Sequence, residues 1–512
     1  MPAPCEAGAV ANPPGRARQG TAGRAVPPID RPIPFEGLPE LDARLEAAAV
    51  TGEDALDREH RQDLLLFPVI GRVLKWCGLQ PTLEVPGVVL FTLVVVIGIW
   101  GTQVPSENFA TMLIWVYWWS LVVFSFVFVG RIWCMVCPLG AVGVWVHRRL
   151  GTLGRKWPSR LRNLWSAHIF FITLTGVDLV IGIDTLPRFT GVFILSLIVL
   201  AVLFGVLFER RTFCRYVCPI GGMCGIYSMT SMVELRAKSL ARCRSCTTKE
   251  CIKGTDWAYA CPWFEYPGKL DRNNYCTMCM ECVRACPHGN VGLMVRPVGQ
   301  DLWRTDGRVF DEVILAVSLV GVMASHTIAT TRPFEDWVLA VTSSSGVPGW
   351  AILVGVYLGA MLGANLAYLG VCALAARLAR TDDRPLTARE VYRWTGYALI
   401  PLALSMHLAR NVPFLSVWGT AIADVVRNMA TDFPLGYGVV QAQHLLPSSF
   451  QWYIKLVIVF LGFLLSAYAA YRLSLRLQPR PERARRMLAA VLLVMLLFCV
   501  VYIWILSMPL VV

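Results

Sequence analysis

Cys276-Thr-Met-Cys279-Met-Glu-Cys282-Val-Arg-Ala-Cys286-Pro287 is the stretch that decides how this chain is read. Its spacing, C-x2-C-x2-C-x3-C-P, lets three close thiolates reach three irons of one cubane. The cysteine before proline is displaced and serves a neighbouring cluster. That neighbour lies upstream: Cys243-x2-Cys246-x4-Cys251, with Cys261-Pro262 following after nine intervening residues. Exchanging the two pre-proline cysteines gives two ligand sets. Cys243, Cys246, Cys251 and Cys286 make one 4Fe-4S site, and Cys276, Cys279, Cys282 and Cys261 make the other. Cys-x2-Cys pairs also bind zinc, but the third cysteine of each triplet and both Cys-Pro endings argue against tetrahedral zinc. A disulfide framework belongs to small secreted domains, which this chain is not.

Around this segment the chain is apolar. Its 512 residues are 56% hydrophobic and 16% charged, and the mean hydropathy is +0.55, values of a multi-span membrane protein. Runs of about 20 apolar residues can cross a bilayer, and they recur near 85–104, 110–130, 166–185, 190–208, 309–330, 349–373, 391–410, 452–471 and 487–509. The fold class expected is therefore an all-α polytopic membrane protein of about nine transmembrane helices. Inserted in it is an α+β two-cluster domain of the bacterial ferredoxin type. Four segments follow: 1–80, disordered then amphipathic; 81–210, a four-helix membrane region; 211–307, the ferredoxin-like insert; and 308–512, a five-helix membrane region. No cleavable signal peptide is read at the start, because residues 1–60 lack an apolar core.

Lys and Arg set the orientation. Seven basic residues run from Arg131 to Arg162, five arginines from Arg377 to Arg393 and six from Arg472 to Arg486, while the alternate loops are nearly bare. Nine spans with the amino terminus inside satisfy this pattern in a bacterial inner (cytoplasmic) membrane. The ferredoxin insert then faces the cytoplasm, and the carboxyl terminus lies outside. Most of the net charge of +13 is this rim. The charges flank spans without forming one stripe, so no nucleic-acid partner is expected. A P-loop, a dinucleotide fingerprint and a Cys-x-x-Cys-His haem attachment are all absent from the sequence.

Two further cysteine pairs stand where cytoplasmic span ends belong. Gly130-Arg131-Ile-Trp-Cys134-Met-Val-Cys137-Pro138-Leu-Gly140 follows the second span, and Arg210-Arg211-Thr-Phe-Cys214-Arg-Tyr-Val-Cys218-Pro219-Ile-Gly221 follows the fourth. Proline after the second cysteine stops one helix and fixes the turn. The echo reads as a duplicated hairpin, an arrangement that often places a site at the repeat interface. Cys134, Cys137, Cys214 and Cys218 are candidates for a third iron–sulfur site or a pair of redox dithiols, with Cys224 as a spare thiol.

Four spans with Cys-x(2–3)-Cys-Pro loops after the second and fourth, then a two-cluster segment, resemble the NapH/NosR-type membrane polyferredoxins and the CcoG assembly proteins. The likeness covers roughly residues 85–300. The second loop has the family's C-x3-C-P spacing; the first has one residue fewer. The resemblance implies electron transfer between the quinone pool and an unidentified redox partner protein. It leaves residues 308–512 unaccounted for, because five further spans stand in place of the relatives' extra domains.

Seven histidines occur in the chain, two of them near the outer ends of spans. His326 and His407, if they face each other, suit either axial ligation of a b-type haem or the ends of a quinol site. Asp178 is the one carboxylate well inside a span, where a charge is costly, and is a candidate proton route. Trp115 to Trp119 reads as an interfacial anchor or a quinone contact. No catalytic residue is assigned. The expected function is a membrane iron–sulfur electron-transfer protein linking quinol or quinone to a partner through two 4Fe-4S clusters. The alternatives are a copper reductase or maturation factor for a respiratory enzyme, and a redox sensor.

Overall fold

In the computed structural model the described residues are 61–150, 153, 155–305, 307–381, 385–443 and 445–510. The segment 1–35 expected to be disordered, and most of the amphipathic segment 36–77, lie outside them. Within that second segment Pro68–Lys75 is a helix. It leaves Val69 and Val73 exposed beside the first span.

Eight described helices are long and apolar enough to cross a membrane. We label them with the shorter apolar helix in chain order: α1 Leu79–Trp100, α2 Phe109–Val129, α3 Trp165–Ile181, α4 Pro187–Leu207, α5 Phe310–Ile328, α6 Gly349–Ala379, α7 Ala388–Trp418, α8 Ser448–Leu477 and α9 Pro481–Leu506. All nine fall where apolar runs occur in the sequence, and α3, with 17 residues, is the shortest, at the lower limit of a crossing. Several run longer than the apolar count because polar ends continue the hydrogen-bonded ladder. α7, for example, begins at a cap where the Thr387 side chain accepts from the Glu390 amide.

Burial separates the helices. The apolar windows of α5 and α7 are 78% and 72% buried, against 39% or less for the other six, so these two form the axis of the carboxy-terminal bundle. They also carry the buried polar side chains Ser318, His326, Ser405, His407 and Asn411, which no lipid-facing helix would tolerate. In the amino-terminal half, α1 and α4 cross at glycines. A Cβ on Gly98 would meet Gly191 Cα and the Pro187 carbonyl at 2.9 Å, the close backbone approach that small residues permit in membranes. Gly98→Ala is expected to cost about 1–3 kcal/mol through overpacking, read as a lowered thermal midpoint in detergent.

Between the two halves, β1 (Val233–Ala237) and β2 (Val291–Val295) pair antiparallel, with Val233 opposite Val295 and Ala237 opposite Val291. Short helices and turns fill the loop between them. Two surface helices were not read from the sequence, Arg332–Ser345 and Ile422–Thr431. Both are strongly amphipathic and lack an unbroken apolar run.

Candidate iron–sulfur and cavity sites

The β1–β2 pairing closes a loop that carries eight thiols. Cys243, Cys246, Cys251 and Cys286 line one cavity, together with Tyr266, Asn290 and His288. Asn290 points its amide nitrogens at sulfur: Nδ2 donates to Cys243 Sγ at 3.2 Å and the backbone N to Cys286 Sγ at 3.4 Å. Cys276, Cys279, Cys282 and Cys261 form the second group. Burial pushes Cys276 up to about 11 and Cys279 up to about 12, and the neighbouring Cys261 adds to both. Cys282 is raised by burial and then by Cys279, Cys276 and Cys261. Cys251 of the first group also raises Cys282, and Cys261 raises Cys251, so the two groups of thiols lie within electrostatic reach of each other.

Non-glycine residues adopt left-handed backbone at Lys249, Met278 and Met280, with φ of 49°, 54° and 62°. Such φ values are uncommon outside glycine and accompany special local geometry. Here they flank the thiols, and the Met278 amide donates to Cys276 Sγ at 3.4 Å. Met278, Met280 and Met294 are all buried in this segment. Among the described residues no three His, Cys, Asp or Glu converge tightly enough for a single metal ion. A cubane does not need that convergence, because each thiolate binds a different iron. Four thiols in each group are the donors that a 4Fe-4S cluster takes.

The paired loops are built alike. Each has a left-handed residue ahead of the thiols, Gly130 (φ 56°) and Arg211 (φ 54°), and each second cysteine is followed by a proline that opens a helix, Pro138–Leu150 and Pro219–Ser228. The extra residue of the second loop is taken up in a π-helical turn over Phe213–Val217. There the Cys218 amide donates to the Phe213 carbonyl at 2.8 Å, an i to i+5 bond of that wider helix. Cys137, Cys214 and Cys218 pack on one apolar cluster. Cys137 is pushed up to about 12 by burial, with Cys134 and Cys214 adding. Cys134 is held down to about 5 by a hydrogen bond with Cys224, and the Arg131 guanidinium adds to this. The four half-buried loop thiols and the buried Cys224 thus share one site.

Arg131 joins this site to the inserted segment. It is 2% exposed; Nε donates to Cys134 Sγ at 3.3 Å and Nη1 to the Asn274 carbonyl at 2.6 Å. Its guanidinium lies 4.1 Å from the centre of the Trp263 ring. Asn274 stands two residues before Cys276, and Trp263 two after Cys261. One buried cation therefore touches both the loop thiols and the frame of the second group. In sequence it read only as rim charge. Glu312 of α5 makes the second tie: Arg272 Nη1 donates to it at 2.9 Å, Asn274 Nδ2 at 2.6 Å and Tyr275 OH at 2.5 Å, and the Tyr397 hydroxyl also donates.

Within the membrane region His326, His407 and Asp178 line one cavity of about 110 Å³ with Trp115, Trp119, Asp184, Arg410 and Ile220. His326 Nε2 and His407 Nδ1 have no hydrogen-bond partner. Trp119 lies 5.3 Å from His407, ring centre to ring centre. Asp178 Oδ1 accepts from the Asp184 amide at 3.0 Å, and Arg410 Nη1 donates to the His326 carbonyl at 2.7 Å. Asp184 reads in sequence as a span-end carboxylate for which solvation suffices, and the cavity corrects that; Arg410 was not singled out, though a cation three residues after His407 was the available signal. His168 stays outside, stacked on Trp165 at 5.9 Å.

A family described as a 4Fe-4S binding domain matches residues 111–162 and 190–232. Those stretches hold both cysteine loops and end before Cys243. Relatives include YccM of Escherichia coli, a protein assigned to electron transport, 28% identical over 36% of this chain and 56% of its own. The ferredoxin-type methylamine utilization protein MauN of Methylorubrum extorquens is 31% identical over 25% of this chain and 48% of its own. NirI of Paracoccus denitrificans is 29% identical over 32% and 26%. The chain thus spans about half or less of the length of these three relatives. No solved structure matches.

Proposed function

We propose, for a chain that carries the 4Fe-4S binding domain of membrane ferredoxin-type electron-transport proteins, that it passes electrons between the quinone pool and a redox partner. Clusters held by the two ferredoxin thiol sets would supply one-electron carriers, and their potentials are set by burial and hydrogen bonds to sulfur. The observation that carries the reading is one of contiguity. Ile220 lines the membrane cavity and stands two residues after Cys218, and Arg131 connects the loop thiols to the segment around Cys276. A membrane pocket, the loop thiol site and the ferredoxin frame therefore adjoin.

The chain's residues divide the work. Asn290, Tyr266 and the left-handed turns orient the thiols, and Arg131 offsets negative charge beside Cys134. The Cys243 set lies at the exposed end, next to exposed Arg242, Lys253 and His288, which favours a partner with an acidic face. A cavity of about 110 Å³ is of the order of one that takes a single aromatic ring, about 150 Å³ for benzene. It is far too small for a haem macrocycle, which leaves the quinone head group as the reading to test. The distribution of Lys and Arg supports a cytoplasmic ferredoxin face in a bacterial inner membrane.

Anaerobic purification in detergent, with iron and acid-labile sulfide counted and absorbance followed on adding a quinol, tests the proposal. About eight irons that bleach with quinol are expected for two clusters, and about twelve if the loop thiols hold a third. Clusters that are present but inert to quinol would overturn it and favour a sensor or a metal reductase.

A further inference from the structure

The cavity is shared between two parts of the chain. Trp115, Trp119 and Asp178 come from the amino-terminal half, whereas His326, His407 and Arg410 come from α5 and α7, outside the stretches that match the 4Fe-4S family. From Ile220 beside the loop thiols the cavity reaches toward the membrane face away from the inserted segment, where Asp178, Asp184 and His326 line it. Glu312, bound to that segment, and His326 sit on the same helix α5, 14 residues or roughly 21 Å apart at 1.5 Å per residue. Asp178 and Asp184 lie at and just beyond the corresponding far end of α3, whose near end is tied down by the Leu164 amide donating to Asp311 at 2.7 Å.

Two observations point to a ligand with two polar ends. His326 and His407 are 8% and 2% exposed, and each keeps an unpartnered ring nitrogen, a cost that a buried polar atom normally avoids. The rest of the wall is largely aromatic and aliphatic, with Trp115, Trp119, Phe171 and Phe193. A flat ring with hydroxyls at opposite edges matches both features. The titratable side chains on this wall are Asp178, Asp184, His326, His407 and Arg410, and Arg410 is within electrostatic reach of both carboxylates.

We propose that a quinol ring occupies this cavity with one hydroxyl toward His407 and the other toward His326 and Asp178, and that its two protons leave by Asp178 and Asp184 on the face opposite the ferredoxin segment. The inference rests on the quinol reading above. One quinol loses two electrons and two protons: both O–H bonds break and a quinone forms. The electrons go to two one-electron iron–sulfur acceptors, the protons to His407 and Asp178 and from there to water beyond Asp184. Oxidation of the pool is thereby coupled to proton discharge on one side of the membrane, and residues of the carboxy-terminal bundle take part in it.

The full chain, loaded with iron and sulfide and reconstituted in liposomes with its ferredoxin segment outward, tests this. A short-chain alkyl benzoquinol is added, protons are followed by pH dyes inside and outside, and cluster bleaching is followed together. Binding of the matching benzoquinone is read separately by quenching of tryptophan fluorescence. The wild type should release protons into the lumen. Asp178→Asn should bind the quinone normally yet slow both bleaching and lumenal protons by about a hundredfold, the scale of a lost proton acceptor. Protons appearing outside, or an Asp178→Asn protein with wild-type rates, would overturn the proton exit and leave the quinol reading standing. A wild type that neither binds the quinone nor bleaches would overturn the quinol reading itself.

Discussion

Replacing Glu312 by Ala is expected to loosen the whole inserted segment from the membrane bundle. The carboxylate is fully buried and takes hydrogen bonds from Arg272, Asn274, Tyr275 and Tyr397. Its removal leaves the Arg272 guanidinium, itself 5% exposed, with the partly exposed Asp271 carboxylate at 3.1 Å as its remaining counter-charge. Breaking a buried ion pair from one side costs about 3–5 kcal/mol, and the Asp271 carboxylate that stays beside Arg272 puts the expected cost at the lower end of that range. Glu312→Gln keeps the shape and two hydrogen-bonding atoms, so it should fall between wild type and Ala. The thermal midpoint in detergent and the iron retained after heating are the measurements. Midpoints of Glu312→Ala and wild type that coincide would show that the ferredoxin segment is held by other contacts. Because Asn274 and Tyr275 directly precede Cys276, a shift in reduction potential should accompany the loss of stability.

Cys282→Ala should remove about four irons, one cluster's worth. Cys282 is buried and electrostatically coupled to Cys279, Cys276 and Cys261, the other members of its set. Cys218→Ala, in the paired loops, should leave the ferredoxin iron in place and act only on iron or electron transfer attributable to the loop site. An equal loss from both variants would mean that the two sites are not separate. Loading should also depend on pH in a definite direction. Burial raises Cys276 to about 11 and Cys279 to about 12, so both are protonated thiols at neutral pH when no cluster is present. Ligation needs thiolates. Reconstitution should therefore release protons and become more favourable as pH rises through 7 to 9, which a pH series of iron titrations would measure. A flat profile would contradict the buried-thiol assignment.

What the sequence by itself determined was whatever depends on neighbours along the chain. The Cys-x2-Cys-x2-Cys-x3-Cys-Pro run, the upstream triplet, the doubled Cys-Pro loops and the apolar runs are all local patterns, and the structure puts helices under each apolar run. Where spans end was less legible, because polar residues extend a hydrogen-bonded helix past the apolar core, as in α6 and α7. The tertiary structure decided what depends on distant segments. His326, His407 and Asp178 could be named from the cost of polar groups in a membrane, but only the packing of α2, α3, α4, α5 and α7 brings them to one cavity. Arg131 and Glu312 looked like charges at span ends, where solvation would have sufficed. The fold removes that solvent and replaces it with Cys134, Asn274 and Trp263 around the one and with Arg272 and Tyr397 around the other. A charge along a chain shows its sign; whether water or a specific partner answers it is settled only when the surrounding helices close.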